Sequence, residues 1–460
     1  MKIPSSFKDP DGFVFLHKDR IFRQINKSYK DNYDFLIKSG LYKKLVDLDV
    51  LIPHKEIDFS SNQTTIYKVI EPQIIPFISY PYEWCFSQLK DAALLTLFIQ
   101  KTSLEFGMTL KDASSFNIQF LSGKPIFIDT LSFEKYKEGQ PWTPYRQFCE
   151  QFLAPLALMV YKDIRLSKLL QVHVNGIPLD LAVKLLPFTS RLSPALFLHI
   201  FLHARSQKKF AHLPLSKEIN KQFSRRAFLG LIESLESSVK NLSWKIGKTA
   251  WTDYYNEHNH DSYSGKSLVK KKAIVAEYLR ILHPKTVWDM GANTGEFSRI
   301  AAKKGIFTVS MDNDPSVVEQ NYRQVKENKE KNILPLWIDI VNPTPAVGWE
   351  NKERWSFLSR RLPDTALALA LVHHLAIGNN LPLSKLAAFF AKICKSLIIE
   401  FVPSEDRQAR LLIQNRESIF FDYTEDVFEK EFGKFFIISK KSLIPRSKRT
   451  LYLMINKEKI

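Results

Sequence analysis

Cysteine is scarce in this 460-residue chain: Cys85, Cys149 and Cys394 stand far apart, with no Cys-x-x-Cys spacing. That pattern excludes a disulfide framework or a paired-cysteine zinc site, and it fits a reducing compartment. Long apolar runs are missing too. FLAPLALMVY and SPALFLHIFLHA fall short of the roughly 18 to 20 residues that cross a bilayer, and the first residues lack the apolar stretch of a signal peptide. A cytoplasmic chain without a membrane span is therefore expected. Acids are in deficit, 48 Asp and Glu against 66 Lys and Arg, for a formal charge of +18. The excess is spread over both halves, which gives little support to a polyanionic partner. Its densest stretch runs from Arg205 through Lys208, Lys209, Lys217 and Lys221 to Arg225 and Arg226, and reads as a solvated helix face before an anion-binding surface.

Core material is ample, with 45% apolar residues and 13% aromatics. The length exceeds the roughly 250 to 300 residues at which single cores stop growing, so two domains are expected. From residue 1 to about 128, short apolar runs (GFVF, IIPFISY) alternate with helical patterns (YDFLIKSGLYKKLVDL, AALLTLFIQKTSLEF). From about 143 to 242, QFCEQFLAPLALMV, LDLAVKLL and FLGLIESLESSV repeat at helical spacing. Residues 1–245 thus read as an α+β, helix-rich domain. WTDYYNEHNHDSYSGK is the expected junction. Residues 251–460 then alternate strictly between strand and helix, which predicts an α/β fold with a doubly wound, mostly parallel sheet. FFIISKK and RTLYLMIN close it as an antiparallel hairpin.

VWDMGANTGEFS, between Val287 and Ser298, carries the chemistry. Asp289 ends a strand, and Gly291, Asn293 and Gly295 make a tight turn before a helix. Glycine removes Cβ where a ligand passes close, and asparagine tolerates a left-handed backbone. The helix start offers free N–H groups to an anion. Asp312 ends the next strand, where a carboxylate accepts bonds from ribose hydroxyls, and Asp339 ends the third, placed for an amino group such as that of adenine. A glycine turn alone is ambiguous; three acids at three successive strand ends line one crevice.

The segment from Val287 to Val402 resembles the core of class I S-adenosylmethionine-dependent methyltransferases. The resemblance implies an enzyme with S-adenosyl-L-methionine as cofactor, and Asp289, Gly291, Asn293, Gly295, Asp312 and Asp339 as its binding residues. Asn293 stands where many members have glycine. A nicotinamide enzyme is the nearest rival, but GANTG is not GxGxxG and an antiparallel ending favours the methyltransferase.

Methyl transfer is an in-line displacement, so the protein must align the acceptor and take a proton where the acceptor carries one. His373 and His374, after the fourth strand, and Glu400, in the fifth, are the candidate catalytic residues. Each has a structural alternative, as packing or as a hydrogen-bond partner behind the site. VHHL resembles a string that usually belongs to the scaffold in methyltransferases of differing substrates. The family's patterns for RNA ribose and base-amino methylation are absent, so a glycan, metabolite or protein acceptor is favoured over nucleic acid. Trp251, Tyr254, Tyr255, His258, His260, Tyr263 and Lys266 sit where a lid would cover the cofactor. His258 and His260 lack further ligands, so no metal is expected. Lys270, Lys271 and Lys272 read as an exposed helix face.

A second constellation lies in LKDASSFNIQFLSGKPIFIDTLSF. Asp112, Asn117 and Asp129 resemble the catalytic and metal-binding positions of protein kinases and aminoglycoside-type phosphotransferases, which implies Asp112 as base and magnesium on Asn117 and Asp129. Leu110-Lys111 and Thr130-Leu131 depart from the family's strings, and no glycine loop stands near Gly12; Lys68 is the substitute for a phosphate lysine. An ordinary αβ hairpin with polar caps is the alternative. Three readings follow: a methyltransferase whose first domain presents the acceptor, an ATP-binding phosphotransferase-like module fused to a methyltransferase-like domain, and a non-catalytic adaptor.

Overall fold

A computed structural model describes residues 2–18, 20–58, 64–210, 223–247, 249, 251, 265–413 and 422–459. Lys217, Lys221, Tyr254, Tyr255, His258, His260 and Tyr263, singled out above, lie outside them. Two compact units form, one from Met1–Lys245 with Ala346–Trp355, the other from Ile246–Pro345 with Ser356–Ile460.

In the first unit, β1 (Gly12–His17), β2 (Arg20–Asn26), β3 (His54–Ile57) and β4 (Ile66–Pro72) form an antiparallel sheet in the order β1-β2-β4-β3. Ile25 and Ile70 meet Tyr29, Tyr33 and Leu131 beneath it. The helix Phe86–Glu105 is apolar on most sides and largely buried, as such a helix must be. After it come β5 (Met108–Leu110), β6 (Ile118–Leu121), β7 (Lys124–Phe127) and β8 (Phe133–Lys135). Ser122 and Gly123 join β6 to β7 with φ of 51° and 76°, the left-handed pair that a two-residue hairpin loop needs. Helical segments then dominate among the described residues between Tyr145 and Asn241.

The second unit holds β9 (Thr286–Met290), β10 (Phe307–Asp312), β11 (Ile333–Trp337), β12 (Thr365–Ala368), β13 (Ser396–Phe401), β14 (Phe436–Leu443) and β15 (Thr450–Asn456). They form one sheet in the order β11-β10-β9-β12-β13-β15-β14. The first five are parallel, and β15 runs antiparallel to both neighbours. This is the mostly parallel sheet of methyltransferase type, with the closing hairpin inserted so that β15 abuts β13 and β14 is outermost. β11, β12 and β13 are buried along their whole length, because helices cover both faces of a parallel sheet. The strand order reverses between β9 and β12, and a reversal of that kind opens a crevice at the strands' carboxyl ends.

The helix Gly265–Leu282 packs Val275, Tyr278 and Leu279 against Val287, Leu367, Ile398 and Leu451. Lys271 falls one turn before Val275 on this same stripe, and it is buried, not exposed with Lys270 as the sequence suggests. Its ammonium lies 2.6 Å from Glu400 Oε2, with side-chain exposures of 2% and 0%. Arg449 reaches Glu400 Oε1 at 3.7 Å and grips Asp406 with two bonds of 2.8 and 2.9 Å. Removing one member of such a buried pair strands the other charge. Lys271→Met should therefore destabilise the second unit by about 3 kcal/mol, seen as an earlier calorimetric transition. An unchanged transition would show that Arg449 alone satisfies Glu400.

Candidate active site

The turn after β9 is built by the positive φ of three residues: Gly291 (71°), Asn293 (52°) and Gly295 (83°). A Cβ on Gly295 would lie 2.6 Å from Asn321 Oδ1 and 2.7 Å from Arg299 Nη1, so the position has no room for a side chain. Behind the turn Asp289 is 2% exposed and accepts a 2.6 Å bond from the Ser298 hydroxyl. Ser310, paired with Asp289 across β10, lies 2.9 Å from the same hydroxyl and accepts a bond from Asn321 Nδ2. Burial pushes the Asp289 carboxyl up to about 6, with Ser298 and Lys271 pulling the other way.

Asp312, the last residue of β10, accepts from the Asn293 backbone N–H on one oxygen at 2.8 Å and from the Asp314 N–H on the other at 3.0 Å. Its carboxyl is also pushed up to about 6 by burial, against those two bonds. Asp339 lies two residues beyond the end of β11, half-buried, and accepts from the Val341 N–H at 2.9 Å. Asp289 thus lies one residue before the end of β9, Asp312 at the end of β10 and Asp339 two residues past β11 instead of ending it, with the glycine turn between the first two. The Asn293 and Asp314 N–H groups take one Asp312 oxygen each and the Asn313 N–H adds a third backbone bond, which leaves a carboxylate some lone-pair capacity for a diol.

On the β12 side the chain leaves the strand through Ala370, whose φ of 51° is uncommon outside glycine, and enters a π-helical turn from His374 to Gly378. Leu371 fills the space over Gly291, 3.1 Å from where a Cβ would stand. His373 is buried, and among the described residues its Nδ1 has no hydrogen-bond partner. The His374 ring lies 4.1 Å from it and meets the Trp251 indole edge-on at 5.2 Å. Trp251 also accepts a 2.9 Å bond from Asn293 Nδ2 at its carbonyl, so the one described residue at the head of the junction string touches both the glycine turn and His374. Burial, then the charge of Arg449, lowers His374 to about 4, and burial puts His373 well below its ordinary value. Both rings are neutral near pH 7. Glu400, by contrast, is fully enclosed with an oxygen on each of Lys271 and Arg449, which commits its carboxylate to the ion pair instead of to an acceptor.

In the first unit Asp112, Asn117 and Asp129 do come together. Asp112 accepts from Gln147 Nε2 at 2.7 Å, from the Ser114 N–H at 3.0 Å and from Asn117, and burial and the neighbouring Asp129 raise its carboxyl above the usual range. Asp129 accepts from the Leu131 N–H and the Ser132 hydroxyl. Its ion-pair partner, which no motif marks, is Arg23 on β2, 2.5 Å away. Lys68, the expected substitute lysine, is paired with Glu56 on β3 instead. Lys111 is paired with Asp11, and Asp9 sits 3.8 Å from both Lys111 and Arg23. Arg23 thus occupies one oxygen of Asp129, while Lys111 is held by Asp11 and Asp9, and no group of three or more His, Cys, Asp or Glu among the described residues has metal-site geometry.

No family model matches the chain. It is similar to nodulation protein NoeA of Rhizobium meliloti (strain 1021), 36% identical over 459 residues that cover 98% of this chain and 95% of that protein. Among solved structures, magnesium protoporphyrin IX methyltransferase (ChlM) from Synechocystis PCC 6803 with bound SAM matches 45% of this chain and 95% of its own, at 15% identity and a TM-score of 0.30. The bifunctional kinase-methyltransferase WbdD matches 47% of this chain and 45% of its own, at 18% identity and a TM-score of 0.31.

Asp289 and Asp312 hold protons more tightly folded than unfolded, since each loses its proton near 6 instead of near 3.8. These two groups therefore oppose folding increasingly as pH rises from about 4 to about 6, and by a constant amount above that. Asp312→Asn removes one of them. Its melting temperature relative to wild type should climb across that window, and a flat difference would show that Asp312 titrates as an ordinary surface acid.

Proposed function

The chain belongs to the family of nodulation protein NoeA, and on that premise we propose that this methyltransferase-fold enzyme transfers a methyl group from S-adenosyl-L-methionine to a glycan, metabolite or protein. A relative named for nodulation puts glycans first among these acceptors to be tried. The observation that carries the reading is Asp312: a half-buried acid at the end of β10, tied through Asn293 to the glycine turn and left with lone pairs for two hydroxyls. Asp312 would hold the ribose, Asp339 the adenine amino group, and the Gly291–Gly295 turn the methionine part. S-adenosylmethionine supplies a methyl group on a sulfonium, so the acceptor's lone pair forms the new bond as the carbon–sulfur bond breaks toward sulfur.

His374 and His373 are the groups of this chain that would face the acceptor. A neutral imidazole with a value near 4 accepts a hydrogen bond well and keeps a proton poorly at neutral pH, so His374 is proposed to orient an O–H or N–H acceptor, with its proton passing on to solvent. Glu400 is proposed as a positioning residue, fixing Lys271 behind Asp289. A phosphotransferase reading needs Asp129 free for a metal. Its pairing with Arg23 weighs against that reading, and the first unit is proposed instead to present or recognise the acceptor.

Calorimetric titration with S-adenosylhomocysteine tests the cofactor assignment. Loss of two bonds to a charged acceptor in Asp312→Ala should weaken binding by about a hundredfold; unaltered binding would remove Asp312 from the site. In His374→Ala, cofactor affinity should hold while labelled methyl transfer to fractionated cell extract falls by about ten- to a hundredfold. Wild-type transfer to no fraction would leave the adaptor reading in its place.

A further inference from the structure

The apolar run SPALFLHIFLHA and the densest basic stretch adjoin each other, and neither takes part in the sites above. The structure makes one continuous helical segment here, Pro194–Leu196 and His203–Phe210 as α-helix with a π-helical stretch, Phe197–Leu202, between them. Its inner face is pinned. His199 is fully buried, with Nδ1 2.8 Å from the Tyr145 hydroxyl and Nε2 2.8 Å from the Ser234 hydroxyl. The His203 ring stacks on Tyr145 at 4.6 Å. These contacts fix the segment's rotation, so its outward residues cannot turn inward to be covered.

Those outward residues are apolar. Phe197, Leu198 and Leu202 are 42%, 48% and 41% exposed, and Phe188 and Leu192, in the turn before, are 72% and 75% exposed. The Arg191 guanidinium lies over the rings of both Phe188 and Phe201, at 5.5 and 5.1 Å, which joins turn and helix into one face. In sequence this stretch is basic: between Asp180 and Glu218 there is no acid, and Arg191 and Arg205 stand in the described turn and helix. A solvated helix surface normally mixes both signs and keeps Phe and Leu inward.

We propose that this face is a membrane-surface contact, in which Phe188, Leu192, Phe197, Leu198 and Leu202 enter the acyl boundary of one leaflet while Arg191 and Arg205 meet anionic headgroups. Exposed Phe and Leu beside Arg191 and Arg205, in a stretch of chain without acids, suit binding in the plane of an interface. Spanning is not involved, since no described helix is long and apolar enough to cross a membrane. A second copy of the chain would set like charge against like, and a nucleic acid would leave the leucines unburied. This inference stands apart from the methyltransferase reading and holds whatever the acceptor.

Co-sedimentation of the full chain with vesicles tests it. Vesicles of phosphatidylcholine mixed with phosphatidylglycerol should pellet the protein in a salt-sensitive way, and phosphatidylcholine alone far less. Changing Phe188, Leu192, Leu198 and Leu202 together to Ser should weaken partition by more than about a hundredfold, with circular dichroism and S-adenosylhomocysteine binding unchanged. Arg191→Ala and Arg205→Ala should each weaken it about fivefold. Failure of the wild-type chain to pellet with the anionic vesicles would overturn the proposal. So would a lipid-free dimer, or a complex with RNA, that the same serine variant abolishes.

Discussion

The hydroxyl of Ser298, bonded to the buried carboxylate of Asp289, is the contact on which the catalytic half rests. A carboxylate taken out of water needs donors, and this one has a hydroxyl at the start of the very helix that the glycine turn introduces. Ser310 and Asn321 extend the chain of bonds into β10 and the helix Pro315–Glu327. Gly295 has to lack a Cβ because Asn321 occupies the space. The turn is thus held from behind by polar groups that are almost wholly buried.

Asp312 then repeats the same logic one strand over. Its carboxylate is both a strut, accepting from the Asn293 and Asp314 backbones, and an acceptor with capacity to spare. The left-handed Asn293 serves twice as well: its N–H goes to Asp312 and its side-chain amide to the Trp251 carbonyl. Groups placed by such doubly used residues stay put without needing the loops around them to be rigid.

Much of this was legible in the sequence, and the reason is local. Parallel strands buried on both faces read as short apolar runs, and the acids end those runs at intervals that the alternation fixes. What was not legible depended on partners distant along the chain. Lys271 sits among three consecutive lysines and looks like solvent-facing charge; only the stripe it shares with Val275 and Tyr278, and the presence of Glu400 and Arg449 from elsewhere in the sheet, makes it internal. Arg23 in RIFRQIN gave no motif, yet it decides what Asp129 can do. Glu400 looked available because strand ends usually face the crevice, whereas β15 brings Arg449 over it.

The assignment of Ala346–Trp355 to the first unit, although the residues on either side belong to the second, has a consequence for how this protein is inherited. Glu353, 4% exposed, pairs with Lys8 at 2.7 Å, and the Tyr80 hydroxyl accepts from the Trp355 N–H at 2.9 Å. A single break in the gene near residue 245 would therefore yield two incomplete folds, one missing a ten-residue patch of its packing and the other trailing it as an unsupported loop.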